Sequence, residues 1–392
     1  MHVALCGPCD PRRLHDLLDG TAASALQMPD LGGTSVIELT RALVALGHRV
    51  TTLSIADERF VPTPLMLSGP RLEVLVLPQR VRAREYLGDL YARERGSLAS
   101  ALRDVSPDIV HAHWTYEYEL GAQEAGLLHV TTARDAPMLV LRHERNAYRT
   151  MRLAVSLRAR PGIRHLSTVS PHMAGVWRRQ MAYRRPITVI PNIVPSDLGD
   201  AKRHPATHPV VLDVANTSRL KNVSTLIQAF SLVRGELPDA ELRLVGEGLH
   251  HGSQLAGWTR RKGLDTEVAF VGSLGREELA CEYSAAWLLA HASLEESFGN
   301  VLIEALGAGT PVLGGSRSGA VPYVLGGGAF GELVDVRSPK KLADAILNGL
   351  ARGPQSPPHG VDAFLQQFSR ATVARKYLHW YQEVLQGASP RG

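Results

Sequence analysis

Two glutamates that flank a helix start are the residues in this chain whose types and spacing could do chemistry. Glu296 and Glu304 lie in the segment SLEESFGNVLIEALGAGTPVLG, residues 293–314. The sequence predicts a strand over 287–291, a loop that carries Glu296, and a short helix over 300–308 that carries Glu304. Carboxylates accept hydrogen bonds from hydroxyl groups, and the N–H groups at a helix start attract phosphate. The segment could therefore bind a ligand that has both sugar hydroxyls and phosphates.

The same spacing also has an ordinary interpretation. A carboxylate near a helix start followed by a surface glutamate gives this pattern, and the spacing alone favours that interpretation. The surrounding letters favour a functional site, because ESFGNVLIEALGAGTPVL resembles the Glu-x7-Glu signature of glycosyltransferase family 4. The segments SGAVPYVL (318–325) and GELVD (331–335) continue the resemblance, which implies the GT-B architecture of that family.

The resemblance implies a role for each residue of this segment. Glu304 would hold the ribose hydroxyls of a nucleotide sugar, and Glu296 would hold the transferred sugar as part of the catalytic set. The donor-binding residues between them would be Phe298, Gly299, Asn300, Val301 and Leu302. The backbone N–H groups from Gly299 to Leu302 would surround the diphosphate.

A lysine follows the first predicted strand of the second half, 210–215. Lys221 could place positive charge on a diphosphate leaving group, or it could be an ordinary surface lysine. Members of the resembled family carry an arginine five residues before this lysine, where this chain has Asn216. Lys221 matches the lysine of that family, so the resemblance implies that Lys221 is catalytic. Either Arg219 reaches the phosphates as a donor-binding residue, or Asn216 replaces the arginine with fewer contacts.

Three further loops resemble donor-facing loops of the family. Gly33 belongs to a glycine pair that precedes a predicted helix, Gly248 ends the segment VGEG, and Leu274 ends the segment FVGSL. The resemblance implies that Gly33 lies opposite the donor diphosphate. It also implies that Gly248 and Leu274 lie beside the nucleotide base, so all three are expected to bind the donor.

Histidines and a charged pair follow strands of the first half. The segment PDIVHAHW (107–114) contains His111 and His113, and a histidine at a strand end is more often structural than catalytic. The family resemblance makes His113 a catalytic candidate. In TTARDAP (131–137), Arg134 stands where the family often has a histidine, and Asp135 follows it. We expect Arg134 and Asp135 on the acceptor side.

Short apolar runs alternate with amphipathic segments along the whole chain, which predicts two doubly wound, mostly parallel α/β sheets. Together with the resemblance, this predicts a GT-B fold with two Rossmann-like domains that face a central cleft. The proline-rich stretch Pro191–Pro209 is the expected linker. We expect an acceptor-binding domain over 1–195 and a nucleotide-sugar domain over 196–360. Residues 361–392 are expected to form a helix that crosses back to the first domain.

Composition limits the class of protein and its location. The 392 residues carry 44% hydrophobic and 21% charged side chains, which is typical of a globular protein. Three cysteines, no signal-peptide pattern and no run of eighteen apolar residues predict a cytoplasmic protein. The net charge is +5, and Arg142, Arg145, Arg149 and Arg152 have the spacing of one helical face. That face is either solvated or contacts an anionic membrane surface or acidic glycan. No aromatic residues are interleaved with these arginines, so nucleic-acid binding is not expected.

Taken together, the residues and the resemblance predict a retaining glycosyltransferase that uses a nucleotide-diphospho-sugar. The acceptor could be a glycan, a lipid-linked molecule or a small molecule. No Asp-x-Asp motif occurs, so we expect no metal and no other cofactor. A catalytically silent sugar-binding or partner subunit is the alternative, favoured by Asn216 and Arg134. An oxidoreductase is disfavoured because neither half has a G-x-G-x-x-G segment after its first strand with an acidic residue about 20 positions further on.

Overall fold

The computed structural model describes residues 1–20, 26–194 and 203–388. The chain divides into two compact units. The N-terminal unit comprises Met1–Ile193 and Arg370–Gly392, and the C-terminal unit comprises Val194–Ser369. The predicted domain boundary after residue 195 and much of the predicted linker lie outside the described residues.

The N-terminal unit is built on an eight-stranded sheet. Its strands are β1 (His2–Cys6), β2 (Arg49–Asp57), β3 (Leu65–Ser68), β4 (Leu72–Gln79), β5 (Ile109–His113), β6 (His129–Ala133), β7 (Leu166–Thr168) and β8 (Ile187–Val189). The order is β3-β4-β2-β1-β5-β6-β7-β8. All neighbours pair in parallel except β3, which runs antiparallel to β4 at the edge. The sequence did not indicate β3.

Eight α-helices belong to the described part of this unit. They are α1 (Thr34–Ala45), α2 (Ala83–Gly88), α3 (Ala92–Val105), α4 (Glu117–Ala125), α5 (Pro137–His143), α6 (Ala147–Ala159), α7 (Pro171–Gln180) and, after the C-terminal unit, α15 (Arg370–Ala388). The segment in which Arg142, Arg145, Arg149 and Arg152 have the spacing of one helical face is in fact two helices, α5 and α6. The first helix ends before Asn146, and the Asn146 side chain accepts the backbone N–H of Arg149 and so caps the start of α6.

The predicted arginine stripe is not one continuous surface. Arg142 lies on α5, whereas Arg149 and Arg152 lie on α6. Arg152 turns inward, where its guanidinium donates to the Glu117 carboxylate at 2.5 Å and lies 3.5 Å from the centre of the Tyr116 ring. Helical spacing alone could not reveal these partners, which lie at the start of α4.

The C-terminal unit has a six-stranded, fully parallel sheet. Its strands are β9 (Val210–Val214), β10 (Glu241–Val245), β11 (Val268–Gly272), β12 (Leu288–His291), β13 (Val312–Gly315) and β14 (Glu332–Val334). The order is β11-β10-β9-β12-β13-β14. The helices are α8 (Val223–Glu236), α9 (Gln254–Arg261), α10 (Arg276–Ala285), α11 (Asn300–Gly307), α12 (Val321–Val324), α13 (Pro339–Leu350) and α14 (Val361–Leu365).

The last amphipathic segment is shared between the two units. On α15, Val373, Tyr377 and Tyr381 are buried in the same core as β1 and α1. Phe364 and Phe368 precede that helix and pack within the C-terminal unit, where Phe364 stacks on Phe330 with ring centres 4.2 Å apart. The predicted start of the crossing segment at 361 is therefore too early, and α15 begins at Arg370.

Each sheet reverses its strand order once. The reversal lies between β1 and β5 in the N-terminal unit and between β9 and β12 in the C-terminal unit. In open α/β sheets the loops that follow the two strands at such a reversal diverge and leave a crevice for ligands. His113 is the last residue of β5, and the loops after β9 and β12 carry Lys221 and Glu296, so the three residues lie at the carboxyl ends of switch-point strands.

Candidate active site

Lys221 and Glu296 lie at the switch point of the C-terminal sheet. Lys221 ends a single 3-10 turn, Arg219–Lys221, that follows β9, and Glu296 lies in the loop after β12. Their side chains meet, with the Nζ of Lys221 donating to Oε1 of Glu296 at 2.5 Å. The two residues are 75 positions apart in the chain, so this pairing is a product of the fold.

Backbone and side-chain hydrogen bonds fasten the two loops to each other. The N–H of Leu294 donates to the carbonyl of Leu220 at 2.7 Å. The side-chain amide of Asn222 donates to the carbonyls of Ala292 and Val336 at 3.2 and 2.9 Å. These bonds fasten the backbone around Lys221 to the neighbouring segments, so the Lys221 and Glu296 side chains start from fixed positions near each other.

A buried histidine and aspartate complete this cluster. Nε2 of His291 lies 2.8 Å from the same Oε1 atom of Glu296, and Nδ1 of His291 lies 2.9 Å from Oδ1 of Asp213. His291 and Asp213 are both fully buried. Because both ring nitrogens face carboxylates, the cluster forms a continuous chain from Asp213 through His291 and Glu296 to Lys221.

Burial and charge act in opposite directions on these groups. Burial alone would lower the pKa of His291, but the hydrogen bonds and charges of Asp213 and Glu296 outweigh it and raise the pKa to about 9. Burial would raise the pKa of Glu296, but the charge of Lys221 and the His291 hydrogen bond hold it well below its usual range. Glu296 is therefore a carboxylate and His291 an imidazolium at neutral pH.

A glycine with left-handed backbone starts the helix that follows Glu296. Gly299 precedes α11 with φ +95°, and a Cβ there would lie 3.2 Å from Cδ1 of Leu302. The N–H of Leu302 donates to the Gly299 carbonyl at 3.1 Å, so it does not face a ligand as predicted. Phe298 is buried against the ring of Phe368, which gives its side chain a packing role. The phosphate contacts predicted for the other N–H groups of this segment stay predictions.

Glu304 lies on α11 and is oriented by the neighbouring helix. The hydroxyl of Tyr283 on α10 donates to Oε2 of Glu304 at 2.9 Å. Burial, followed by the charges of Glu304 and Asp213, raises the pKa of Tyr283 well above its usual value. The tyrosine is therefore a permanent donor to Glu304, and the predicted contact of this carboxylate with ribose stays a prediction.

The remaining predicted donor-binding residues of this unit lie on loops that follow strands. Gly248 lines a cavity of about 610 Å³ together with Thr217, His250, Ser253 and Trp258, among other residues. Leu274 is half-buried in the loop after β11. Arg219 is exposed, as is Asn216, whose Oδ1 accepts the N–H of Ser218.

In the N-terminal unit, Gly33 allows a close approach of two backbones. It precedes α1 with φ +81°, and a Cβ there would lie only 1.8 Å from the carbonyl oxygen of Pro8. No other residue type fits this position, because the loop after β1 passes directly over it. The close approach gives Gly33 a structural role whether or not a ligand contacts it.

His113 is fully buried, and Arg134 holds it in place. The guanidinium of Arg134 lies 2.8 Å from Nδ1 of His113 and donates to Oδ1 of Asn192 at 2.5 Å. Arg134 thus orients His113, a role that the sequence did not suggest. The other ring nitrogen of His113, Nε2, is buried and has no hydrogen-bond partner within the part of the chain that the structure describes. Burial lowers the pKa of His113 well below its usual value, so the ring is neutral.

Asp135 lies near Tyr116, which precedes α4, and Arg152, which lies on α6. Its Oδ2 accepts the hydroxyl of Tyr116 at 2.9 Å, and its backbone carbonyl accepts the indole N–H of Trp177. Burial raises the pKa of Asp135, although the charge of Arg152 opposes that shift. Arg134 therefore contacts His113, and the next residue, Asp135, contacts Tyr116. Both contacts lie within the N-terminal unit, at the ends of the neighbouring strands β5 and β6.

Comparison with known proteins identifies the family. The model described as "Glycosyltransferase Family 4" matches residues 32–198, and the model described as "Glycosyl transferases group 1" matches residues 198–356. Together the two models cover most of the chain. The chain belongs to glycosyltransferase family 4.

One curated relative and two solved structures are similar to this chain. The chain is 31% identical over 189 residues to a D-inositol 3-phosphate glycosyltransferase of Corynebacterium kroppenstedtii, which is 45% of this chain and 41% of that relative. The match thus spans less than half of the relative's length. Sucrose-phosphate synthase from Thermosynechococcus elongatus superposes with a TM-score of 0.80, 21% identity and coverage of 99% and 100%. HepE of Anabaena, solved in complex with UDP, superposes with a TM-score of 0.69 and 20% identity. The match covers 98% of this chain and 100% of that structure. These two likenesses establish the GT-B fold.

The sequence alone did not identify His291 and Asp213 as site residues of this glycosyltransferase-family chain. A signal was present, because each is a charged or titratable residue inside an otherwise apolar strand, in VVLDVA and WLLAH. Such residues are rarely buried without a partner. The partners could not be assigned from the sequence, since Asp213 and His291 are 78 positions apart.

Neither a metal site nor a membrane-spanning helix occurs in the described residues. No group of three or more His, Cys, Asp or Glu side chains there could hold a metal ion. In the same residues, no helix has both the length and the apolar character needed to cross a bilayer.

Proposed function

We propose that this chain is a retaining glycosyltransferase that moves a sugar from a nucleotide-diphospho-sugar to an acceptor hydroxyl. One observation carries the proposal. A carboxylate and an ammonium group, Glu296 and Lys221, meet beside the Gly299 helix start at a topological switch point. Such a site offers an acceptor for sugar hydroxyls and positive charge for phosphates within one crevice.

The proposed reaction is a front-face displacement. The bond between the anomeric carbon and the diphosphate oxygen breaks, and the acceptor oxygen forms its bond to the same carbon from the same face. The acceptor proton passes to an oxygen of the departing phosphate. Lys221 and the N–H groups of 299–301 would stabilise the charge that develops on the diphosphate. The exposed Arg219 is free to add a second cation there, and the proposal assigns no step to a metal.

Glu296 would fix the sugar that is transferred. Its Oε1 is occupied by Lys221 and His291, and within the described residues Oε2 accepts no hydrogen bond. A sugar hydroxyl could donate to Oε2 without breaking any contact. Glu304, oriented by Tyr283, would hold the ribose, as the resemblance implies.

His113 is the proposed catalytic group of the N-terminal unit. Its buried Nε2 lacks a partner among the described residues, and leaving such an atom unsatisfied costs about 1–3 kcal/mol. A sugar hydroxyl of a substrate could satisfy it. The acceptor class stays open among glycans, lipid-linked molecules and small molecules. The name of the curated relative supports including D-inositol 3-phosphate among the acceptors to test. A cytoplasmic location and peripheral membrane contact also stay predictions.

A donor panel tests the proposal. Thermal unfolding and release of nucleoside diphosphate are measured with UDP-, GDP- and ADP-sugars and with the free diphosphates, and UDP is the first choice because a solved structure of this fold holds it. A ligand at 100 times its Kd should stabilise the protein by about 2.7 kcal/mol. Stabilisation by one donor with release of its diphosphate supports the proposal.

The other outcomes favour a different function. Stabilisation by a nucleotide sugar without turnover on any acceptor would favour a silent sugar-binding subunit, the function that Asn216 in place of an arginine also favours. No stabilisation by any donor or diphosphate would contradict the proposed donor site altogether.

A further inference from the structure

Asp213 and His291 form a buried pair behind Glu296. Neither residue belongs to the Glu-x7-Glu signature, and both are fully buried at the carboxyl ends of the switch-point strands β9 and β12. The His291 ring spans the space between the two carboxylates, 2.9 Å from Asp213 and 2.8 Å from Glu296. A buried imidazole that bridges two carboxylates has no freedom to rotate, so it defines where the Glu296 carboxylate lies.

Two donors share a single oxygen of Glu296. Lys221 reaches Oε1 from the turn after β9, and His291 reaches it from the end of strand β12. The Lys221 side chain is one-quarter exposed and flexible, whereas the His291 side chain is fully enclosed. The lysine can therefore swing away from Glu296, but the histidine cannot.

A bound diphosphate would compete for the lysine. Diphosphate carries more negative charge than a single carboxylate, and the proposed function requires Lys221 to face it. Once Lys221 leaves, Glu296 keeps one cationic partner, which is His291. Without that partner, the carboxylate would be free to follow Lys221 or to rotate, and its Oε2 would lose its orientation.

We infer that Asp213 and His291 are positioning residues that hold the Glu296 carboxylate in the orientation that binds the donor sugar while Lys221 binds the diphosphate. This inference rests on the proposed function. It separates two roles within one cluster. Lys221 serves the leaving group, and the Asp213–His291 pair serves the sugar. The pair acts only through Glu296 and contacts no substrate itself.

The inference predicts a split between two parts of the donor. The nucleotide part would be held by the helix start, Glu304 and Lys221, so its affinity should not depend on His291. The sugar part would depend on Glu296, and a catalytic group displaced by about 1 Å can cost about 100-fold in turnover. A purely structural role would instead lower the stability and both affinities together.

The test uses His291→Gln and Asp213→Asn in the full chain, with His251→Gln as the matched control. His251 is an exposed histidine of the same unit, outside the cluster. Kinetics are measured with the nucleotide sugar that turns over in the donor panel, starting from UDP-glucose. Calorimetry measures the Kd of the corresponding diphosphate alone, starting from UDP. Thermal unfolding is recorded for every variant.

For His291→Gln we expect a fall of about 10- to 100-fold in kcat, with the Kd of the diphosphate changed less than threefold. Asp213→Asn keeps the shape of the side chain and removes its charge, so a smaller fall in kcat with an unchanged diphosphate Kd is expected. Should His291→Gln fail to fold, Asp213→Asn decides the question. His251→Gln should match the wild type.

Two results would overturn the inference while leaving the proposed function intact. One is wild-type kcat in a folded His291→Gln. The other is an equal loss of kcat, diphosphate affinity and thermal stability in both variants, which a structural role predicts. A wild-type protein that turns over no donor contradicts the proposed function itself, and the inference falls with it.

Discussion

Replacing Lys221 by alanine separates the chemistry of the site from its stability. The change removes the cation that the proposed reaction places on the leaving diphosphate. It also removes one of the two partners of Glu296, whose other partner, His291, remains at 2.8 Å. Since Glu296 keeps a cationic neighbour, the protein should fold normally and yet lose turnover.

The magnitudes follow from the exposure of the pair. An exposed ion pair contributes about 0–1 kcal/mol, and breaking a fully buried pair costs about 3–5 kcal/mol. The Lys221 side chain is 25% exposed and His291 still compensates the carboxylate, so we expect a loss of about 1–2 kcal/mol in the free energy of unfolding. Removing a group aimed at developing charge costs about 100- to 1,000-fold in kcat, equivalent to about 2.7–4 kcal/mol.

The assay is release of nucleoside diphosphate under saturating donor, together with thermal unfolding of the same samples. Lys340→Ala is the matched control, because Lys340 is an exposed lysine of the same unit on α13. Lys340→Ala should retain wild-type kcat, and Lys221→Arg should recover part of it. A folded Lys221→Ala protein with near-wild-type kcat would refute the assignment of Lys221 to the leaving group.

Three further predictions concern the backbone, the C-terminal helix and pH. Gly299→Ala forces a left-handed backbone on alanine, which should cost about 1–2 kcal/mol and weaken diphosphate binding in calorimetry; unchanged binding would argue against the helix start as the phosphate site. Tyr381→Phe removes the hydroxyl 2.6 Å from Nδ1 of buried His111, and urea unfolding should show a loss of about 1–3 kcal/mol in the free energy of unfolding. A loss near zero would contradict a stabilising role for this hydrogen bond. The pKa of His291 is raised from 6.5 to about 9, so its stabilising contribution is complete below pH 6.5 and lost as pH rises through 9. Unfolding of wild type against His291→Gln across pH 6–10 should show the two stabilities converging at high pH, and parallel curves would refute it.

Local signals in the sequence were sufficient for the architecture. The alternation of apolar and amphipathic runs predicted two parallel α/β sheets, and the structure has them. Glu296 and Gly299 could be proposed as site residues because the family pattern they belong to lies within a single segment of the sequence, and their roles stay predictions. Edge strand β3 was missed because a four-residue strand at a sheet edge needs no strong apolar run.

Contacts between distant segments were beyond the sequence. The inward turn of Arg152 depends on Glu117, 35 positions away, and helical spacing alone suggested a solvated or membrane-facing stripe. Arg134 contacts His113 and Asn192, which the sequence could not show, and its place on the acceptor side stays a prediction. In each case the side chain found its partner through tertiary packing.

The configuration of the transferred sugar tests the central claim most directly. Proton NMR of the product formed from an α-linked nucleotide sugar reports the anomeric configuration while the reaction proceeds. The proposed front-face displacement at Lys221 and Glu296 predicts an α-linked product, with release of one nucleoside diphosphate for each sugar transferred. A β-linked product would contradict the account, because inversion requires attack from the opposite face.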